Sequence, residues 1–189
     1  MCLLHADTID LLLIKSKFLY KLLSWYSISK RDLPFRNTVD PYRIWLSEII
    51  LQQTRVSQGL PYYYKFVELF PTVEDLAKAE EITVMNAWQG LGYYSRARNL
   101  HVTAKYVVNE LNGNFPTSYN ELIKLKGIGD YTASAISSIS AKEVRPVLDG
   151  NVYRFVGRFY GISTPINTPK SIKDFKEILN KLIDEKQPD

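Results

Sequence analysis

Cysteine is almost missing from this sequence, and its scarcity sets the first limits. A single cysteine, Cys2, among 189 residues excludes an intramolecular disulfide and any multi-cysteine metal site within the chain. A reducing, intracellular location fits that usage. Long apolar runs are lacking as well. Leu3, Leu4 and the stretch from Leu11 to Ile14 are interrupted by His5, Asp7 and Asp10, so no signal-peptide core forms. No segment reaches the roughly 20 apolar residues of a membrane span. Histidine occurs twice, and His101 has no partner pattern, which reads as structural. With 46% hydrophobic and 23% charged residues, neither disorder nor a coiled coil is indicated, and the length suits one compact enzyme body or two small lobes sharing a core.

Aromatic rings are in surplus, with thirteen Tyr and three Trp. Flat amphipathic rings suit nucleobase stacking and core filling alike, and most are assigned to the core. Arginines recur at Arg31, Arg36, Arg43 and Arg55, then at Arg96, Arg98, Arg145, Arg154 and Arg158. With a net charge of +4 and a pI near 9.0, they form a mild polyanion signal.

The apolar period is helical, and Pro and Gly punctuate it, so the fold class is all-α. Leu11 to Tyr26 forms a first helix, and Lys30 to Arg36 a proline-broken connector. Asp40-Pro41 caps a second helix running to about Ser57. Phe70-Pro71-Thr72 and Phe115-Pro116-Thr117 open two more, the latter with Ser118 and Glu121 spaced as a capping box for a helix to about Leu125. Between them lie a helix from Glu81 to Trp88, the turn Gly90-Leu91-Gly92, and a long helix from about Tyr94 to Leu111. Ser171 to Glu185 carries an apolar stripe of Ile172, Phe175, Leu179, Leu182 and Ile183, which needs a partner.

Three segments carry chemistry. Lys126-Gly127-Ile128-Gly129-Asp130-Tyr131-Thr132-Ala133 reads as helix, glycine hairpin, helix. Two glycines permit positive φ, and successive amides at the next helix's amino end can hold a phosphate. Ile128 plugs between the helices. The whole pattern favours DNA-backbone binding over a plain turn. Glu48, inside Tyr42-Arg43-Ile44-Trp45-Leu46-Ser47-Glu48-Ile49-Ile50-Leu51-Gln52-Gln53-Thr54, is flanked at helical spacings by Ile44, Trp45, Leu51 and Gln52. Desolvation there raises a carboxyl pKa, as a general acid requires. The helix alone does not choose between that role and a buried Glu paired with Arg31 or Arg36. Asp149, in Val147-Leu148-Asp149-Gly150-Asn151-Val152, reads in isolation as a helix cap. A fixed carboxylate beneath a sugar can also stabilise an oxocarbenium-like state.

In combination, Leu33-Pro34-Phe35-Arg36, Trp45-Leu46-Ser47-Glu48 with Leu51-Gln52-Gln53-Thr54, Gly90-Leu91-Gly92-Tyr93-Tyr94, the glycine hairpin and Leu148-Asp149-Gly150-Asn151-Val152 resemble the adenine DNA glycosylase (MutY-type) branch of the endonuclease III superfamily. The resemblance runs from about Leu33 to Thr164. It implies a helix-hairpin-helix glycosylase fold of two helical lobes with the active site in the cleft between them. Residues 1–35 would hold an amino-terminal helix of the second, cluster-side lobe. Residues 36–145 would form a six-helix barrel-type lobe with the helix-hairpin-helix at 118–140, and 146–189 would return to the second lobe, incomplete at its carboxy end.

The resemblance also implies roles. Glu48 protonates adenine, Asp149 stabilises the sugar cation, and Tyr131 and Asn151 support them. Gly127, Ile128 and Gly129 hold DNA; Leu51, Gln52, Gln53 and Tyr93 lie where relatives probe or wedge into the duplex; Arg31 and Arg36 line the base pocket. Such wedges offset the cost of unstacking a flipped base. Tyr94 is assigned to packing. Tyr131 stands where bifunctional relatives place a Schiff-base lysine, and a tyrosine cannot form that imine.

The implied activity is base-excision repair: hydrolytic removal of adenine mispaired with 8-oxoguanine or guanine by a monofunctional DNA N-glycosylase. Its partner would be double-stranded DNA containing A·8-oxoG or A·G mispairs, with no membrane, as a monomer, in the cytoplasm or on the nucleoid. Thymine-removing mismatch glycosylases share the Tyr131 and Asp149 pattern, and an inactive truncated DNA-binding module is the non-enzymatic alternative. Relatives carry a four-cysteine [4Fe–4S] loop and an 8-oxoguanine-sensing domain that this chain lacks, so no cofactor is bindable by it and no metal site is expected. It ends at Gln187-Pro188-Asp189 after a helix whose stripe no later segment covers, and reads as a fragment or truncated product.

Overall fold

The structure, a computed structural model, describes residues 8–166 and 168–188; Cys2, the segment from Leu3 to Asp7, and Asp189 lie outside them. The secondary structure of the described residues is all helical, with ten α-helices and one 3-10 turn. None of these helices is long and apolar enough to cross a membrane. The chain divides into two units, one made of the amino-terminal part through Asp32 together with Val144 onward, the other of Leu33–Glu143.

In the Leu33–Glu143 unit, Leu33 is buried and the Phe35 ring meets Tyr63 edge-on at 5.5 Å. The Leu33-Pro34-Phe35 connector therefore packs with this unit. Helix α2 (Pro41–Leu51) is its centre. Asp40 caps it by accepting from the Tyr42 amide at 3.0 Å, Pro41 sits in the first turn, and the Tyr42 hydroxyl donates to the Phe70 carbonyl at 2.8 Å. Around it lie α3 (Val56–Leu69), α4 (Val73–Lys78), α5 (Glu81–Trp88), α6 (Ser95–Glu110), α7 (Tyr119–Leu122) and α8 (Asp130–Ala141). α2 packs on α3 and α8, α6 on α4 and α5, and α7 on α8. Trp45, Trp88, Phe66, Leu46, Ile50, Leu76, Leu100, Leu122 and Ile136 are all fully buried in one cluster. Each such side chain stabilises the fold by roughly 1.5–3 kcal/mol.

Several sequence expectations are corrected here. The second helix stops at Leu51 instead of continuing to Ser57, and α3 begins anew at Val56. Thr72 and Asp75 make a complete capping box for α4, but at α7 the Ser118 hydroxyl donates to the Glu121 carboxylate without capping a backbone amide. Consequently α7 is a single turn ending at Leu122, with 3-10-like turns carrying the chain to Leu125. Of the thirteen tyrosines only Tyr42 and Tyr63 are buried; the phenol hydroxyl keeps the others at the boundary with water.

The other unit contains α1 (Thr8–Ser29), α9 (Gly150–Tyr160) and α10 (Pro169–Leu182). The Phe18 ring packs on Phe155 and Phe159, with centroids 5.8 and 5.4 Å away. Thr168 and Ser171 form a reciprocal capping box at the start of α10. The α10 stripe, expected to need cover from a later segment, is covered by an earlier one. Phe175 and Leu182 are buried, and the Tyr153 ring of α9 lies 4.7 Å from that of Phe175. Ile172, one turn nearer the amino end, stays exposed.

Candidate active site and nucleic-acid interface

Glu48 sits on a helix buried on nearly every side. Tyr42, Ile44, Trp45, Leu46, Ser47, Ile49 and Ile50 are all buried. Ser47, buried beside it, donates its hydroxyl to the Ile44 carbonyl at 2.7 Å. Glu48 keeps partial access to solvent and is the only ionisable residue between Arg43 and Arg55. Desolvation by these apolar neighbours pushes its carboxyl up from 4.5 to about 7. Within this unit, among the described residues, no cation pairs with it, so the alternative of a buried Glu–Arg36 pair is not formed. Near neutral pH the carboxyl can therefore either give or take a proton.

The break that ends α2 is built by a residue 44 to 47 positions away. Arg96 Nη1 donates to the carbonyls of Ile49, Ile50 and Gln52 at 3.0, 3.3 and 2.6 Å, satisfying acceptors that a helix end leaves orphaned. The same guanidinium reaches Leu91 and Gly92 carbonyls through Nη2 at 3.4 and 3.5 Å and lies over the Trp88 and Tyr93 rings. Trp88 Nε1 adds a bond to the Gly92 carbonyl at 2.9 Å. Both segments so held contain a non-glycine residue in the left-handed region, Gln53 at φ 52° and Tyr93 at φ 46°. Each costs about 1–2 kcal/mol. Both point outward: Gln53 is exposed and Tyr93 is 68% exposed, while Leu51 and Gln52 are half-buried. Tyr94 at the start of α6 keeps 38% exposure, because its backbone caps the helix while its ring is only partly packed. Sequence reasoning missed Arg96 as a functional residue, since no local spacing links position 96 to positions 49–52.

The glycine hairpin connects the turns after α7 to α8. Gly127 has φ 81°, but Gly129 is extended at φ −92°, so only one glycine uses the left-handed region. A Cβ on Gly127 would stand 2.9 Å from Asn99 Cβ, so close approach adds to the conformational requirement. Ile128 is buried and its amide donates to the Leu125 carbonyl at 3.1 Å. Ile128 thus plugs the hairpin against the core as its apolar side chain leads one to expect. α8 starts at Gly129 without a side-chain cap, and Gly127 and Gly129 are exposed. That leaves backbone amides and the positive helix end for an anion. The Tyr119 hydroxyl donates to Asp130 at 2.7 Å, bracing the first turn on which Tyr131 stands, 41% exposed.

In the other unit Asp149 caps α9. Its Oδ1 accepts from the Val152 amide at 2.8 Å and its Oδ2 from Asn151 Nδ2 at 3.1 Å, so the two residues expected to work together are in contact. Arg31 follows α1 in this unit, and Arg36 closes the 3-10 turn of the first-described unit; both are exposed. His101 is buried among apolar residues of α6, and desolvation lowers its pKa, in keeping with a structural role.

Residues 46–181 match HhH-GPD, the superfamily of base excision DNA repair proteins. The chain belongs to this family. The match contains Glu48, the hairpin, Asp149 and Asn151, and leaves Arg31 and Arg36 outside it. The chain is similar to an adenine DNA glycosylase of Buchnera aphidicola subsp. Baizongia pistaciae, 44% identical over 77% of this chain and 42% of that protein. It is also similar to an adenine DNA glycosylase of Rattus norvegicus, 39% identical over 98% of this chain and 37% of that one. The chain thus spans about two-fifths of the length of these relatives. Among solved structures, a thermostable thymine-DNA glycosylase superposes with a TM-score of 0.83 at 26% identity, over 92% of this chain and 80% of that one. The fold is therefore the family's helix-hairpin-helix fold. The [4Fe–4S] cluster implied by family resemblance needs four thiolates, and this chain has one cysteine, so its own residues do not fit that group.

Proposed function

We propose that this chain carries the catalytic machinery of a monofunctional DNA N-glycosylase that removes adenine mispaired with 8-oxoguanine or guanine. The observation that carries the proposal is Glu48, an unpaired carboxyl whose desolvation sets it at about 7. That is where a general acid can act near neutral pH. Glu48 gives its proton to a ring nitrogen of the flipped adenine, and the C1′–N9 bond breaks with its electron pair leaving on the base. The Asp149 carboxylate, oriented by Asn151 and the Val152 amide, stabilises the sugar cation. Water adds at C1′, and its proton returns to Glu48. Tyr131, on the first turn of α8 beside the hairpin, supports the two carboxylates and supplies no amine, so the reaction ends at hydrolysis. Gly127, Gly129 and the amino end of α8 grip a DNA phosphate. Leu51, Gln52, Gln53 and Tyr93 press into the duplex, and Arg31 and Arg36 line the base pocket.

The test is strand scission after alkali treatment of duplexes containing A·8-oxoG or A·G. Breaks at the adenine are expected, and intact strands would overturn the activity. Thymine removal is a second reading, favoured by the likeness to the thymine-DNA glycosylase structure. A T·G duplex in the same assay separates the two. Salt-sensitive binding with no base release on any duplex would leave only a DNA-binding module.

A further inference from the structure

The half-buried Arg96 guanidinium at the start of α6 joins two outward-facing segments that lie far apart in sequence. Arg96 Nη1 collects the Ile49, Ile50 and Gln52 carbonyls, Nη2 faces the Leu91 and Gly92 carbonyls, and the cation lies 5.1 Å from the Trp88 ring centre and 5.6 Å from that of Tyr93. Its planar array of donors can serve two acceptor groups at once, which a lysine ammonium cannot match. Arg96 Nε and Trp45 Nε1 remain buried without a partner, and both residues line a cavity of about 70 Å³ that also touches Gln52, Asn99, Lys126 and Gly127. A cavity of that size has room for water. The segment ahead of Gln53, the Gly90–Tyr93 turn and the hairpin glycine therefore share one polar support behind the surface.

We infer that Arg96 is a positioning residue that couples Gln53 and Tyr93 into one rigid two-pronged element for prying a base pair apart. This rests on the duplex-opening reading given above. Gln53 and Tyr93 both hold left-handed backbone that a freely moving loop would abandon, and one guanidinium holds both the Gln52 carbonyl just ahead of Gln53 and the ring of Tyr93. Preorganising the prongs lowers what must be ordered when the duplex is distorted.

The experiment compares wild type with Arg96→Met, Arg96→Lys, Tyr93→Ala and the Tyr93→Ala/Arg96→Met double variant. It uses an A·G duplex carrying 2-aminopurine beside the adenine, and the same adenine facing a gap. Arg96→Met is expected to lose roughly tenfold or more in single-turnover excision from the paired duplex relative to the gapped one, together with the 2-aminopurine fluorescence rise. Arg96→Lys should fall between, and the double variant should be scarcely worse than Tyr93→Ala, as expected for residues acting together. Equal loss on paired and gapped substrates, additive effects in the double variant, or wild-type unstacking by Arg96→Met would overturn the inference. If Arg96→Met does not fold, Arg96→Lys carries the same paired-to-gapped comparison. Failure of wild type to release adenine or unstack 2-aminopurine would instead strike the function itself.

Discussion

At the level of single residues, Glu48 links stability to chemistry. The folded carboxyl keeps its proton up to about pH 7, whereas an unfolded one releases it near 4.5. The folded state therefore binds more protons between those values, and its stability falls as pH rises through that window. Ionised Glu48 costs at most roughly 3 kcal/mol above pH 7. Glu48→Gln should thus raise the Tm at pH 8, with the gain shrinking toward pH 5 in a calorimetric pH series. It should also lower base release by about a hundredfold or more. The wild-type rate limited by proton donation should decline as pH climbs past 7, which a pH profile checks. Asp149 invites a different separation. Asp149→Ser retains a good cap while removing the charge, and Asp149→Ala costs about 1 kcal/mol in cap stability. Under the catalytic assignment both lose base release, and an active Asp149→Ser would reduce Asp149 to a cap. Burial of Glu48 was legible from its flanking Ile44, Trp45 and Leu51, because helical spacing states which side chains surround a position. The clamp by Arg96 was not legible, because tertiary hydrogen bonds leave no mark in local spacing.

At the level of elements, the hairpin's two glycines have unequal duties. Gly127→Ala meets both left-handed backbone and Asn99, and should destabilise by about 1–3 kcal/mol in urea unfolding, with weakened and less salt-sensitive DNA binding. Gly129→Ala has open space and an extended backbone, and should stay within about 0.5 kcal/mol of wild type. Equal losses at both positions would refute the distinction. Most helices could be placed from Pro, Gly and cap residues, and α5 fell on Glu81–Trp88 as expected. The second helix could not be bounded that way. Nothing in Leu51-Gln52-Gln53-Thr54 breaks a helix by propensity, and the carbonyls that end it are drawn off by a cation from another helix. Likewise the Ser118–Glu121 spacing suggested a box, but the two side chains bond to each other and leave the amides to the turn.

For the molecule as a whole, the division into two units has a measurable counterpart. Phe175→Ala empties a buried site in the unit of α1, α9 and α10, and should cost about 3–5 kcal/mol there. Amide exchange should accelerate in α9 and α10 before it does in α2 and α8; uniform acceleration would mean the units open together. The all-helical class was readable from apolar periodicity, whereas the covering of the α10 stripe was not, since a partner earlier in the chain is as good as a later one. A final consequence follows from α2 being walled in by its neighbours. The proton affinity of its one carboxyl is set by how dry those walls are. Any loosening that admits water would drop that affinity toward the value of a free side chain, well before the helices come apart. A carbon-13 label on the Glu48 carboxyl would therefore serve as an internal hygrometer, reporting by its titration midpoint how tightly this protein is closed under heat, pressure or denaturant.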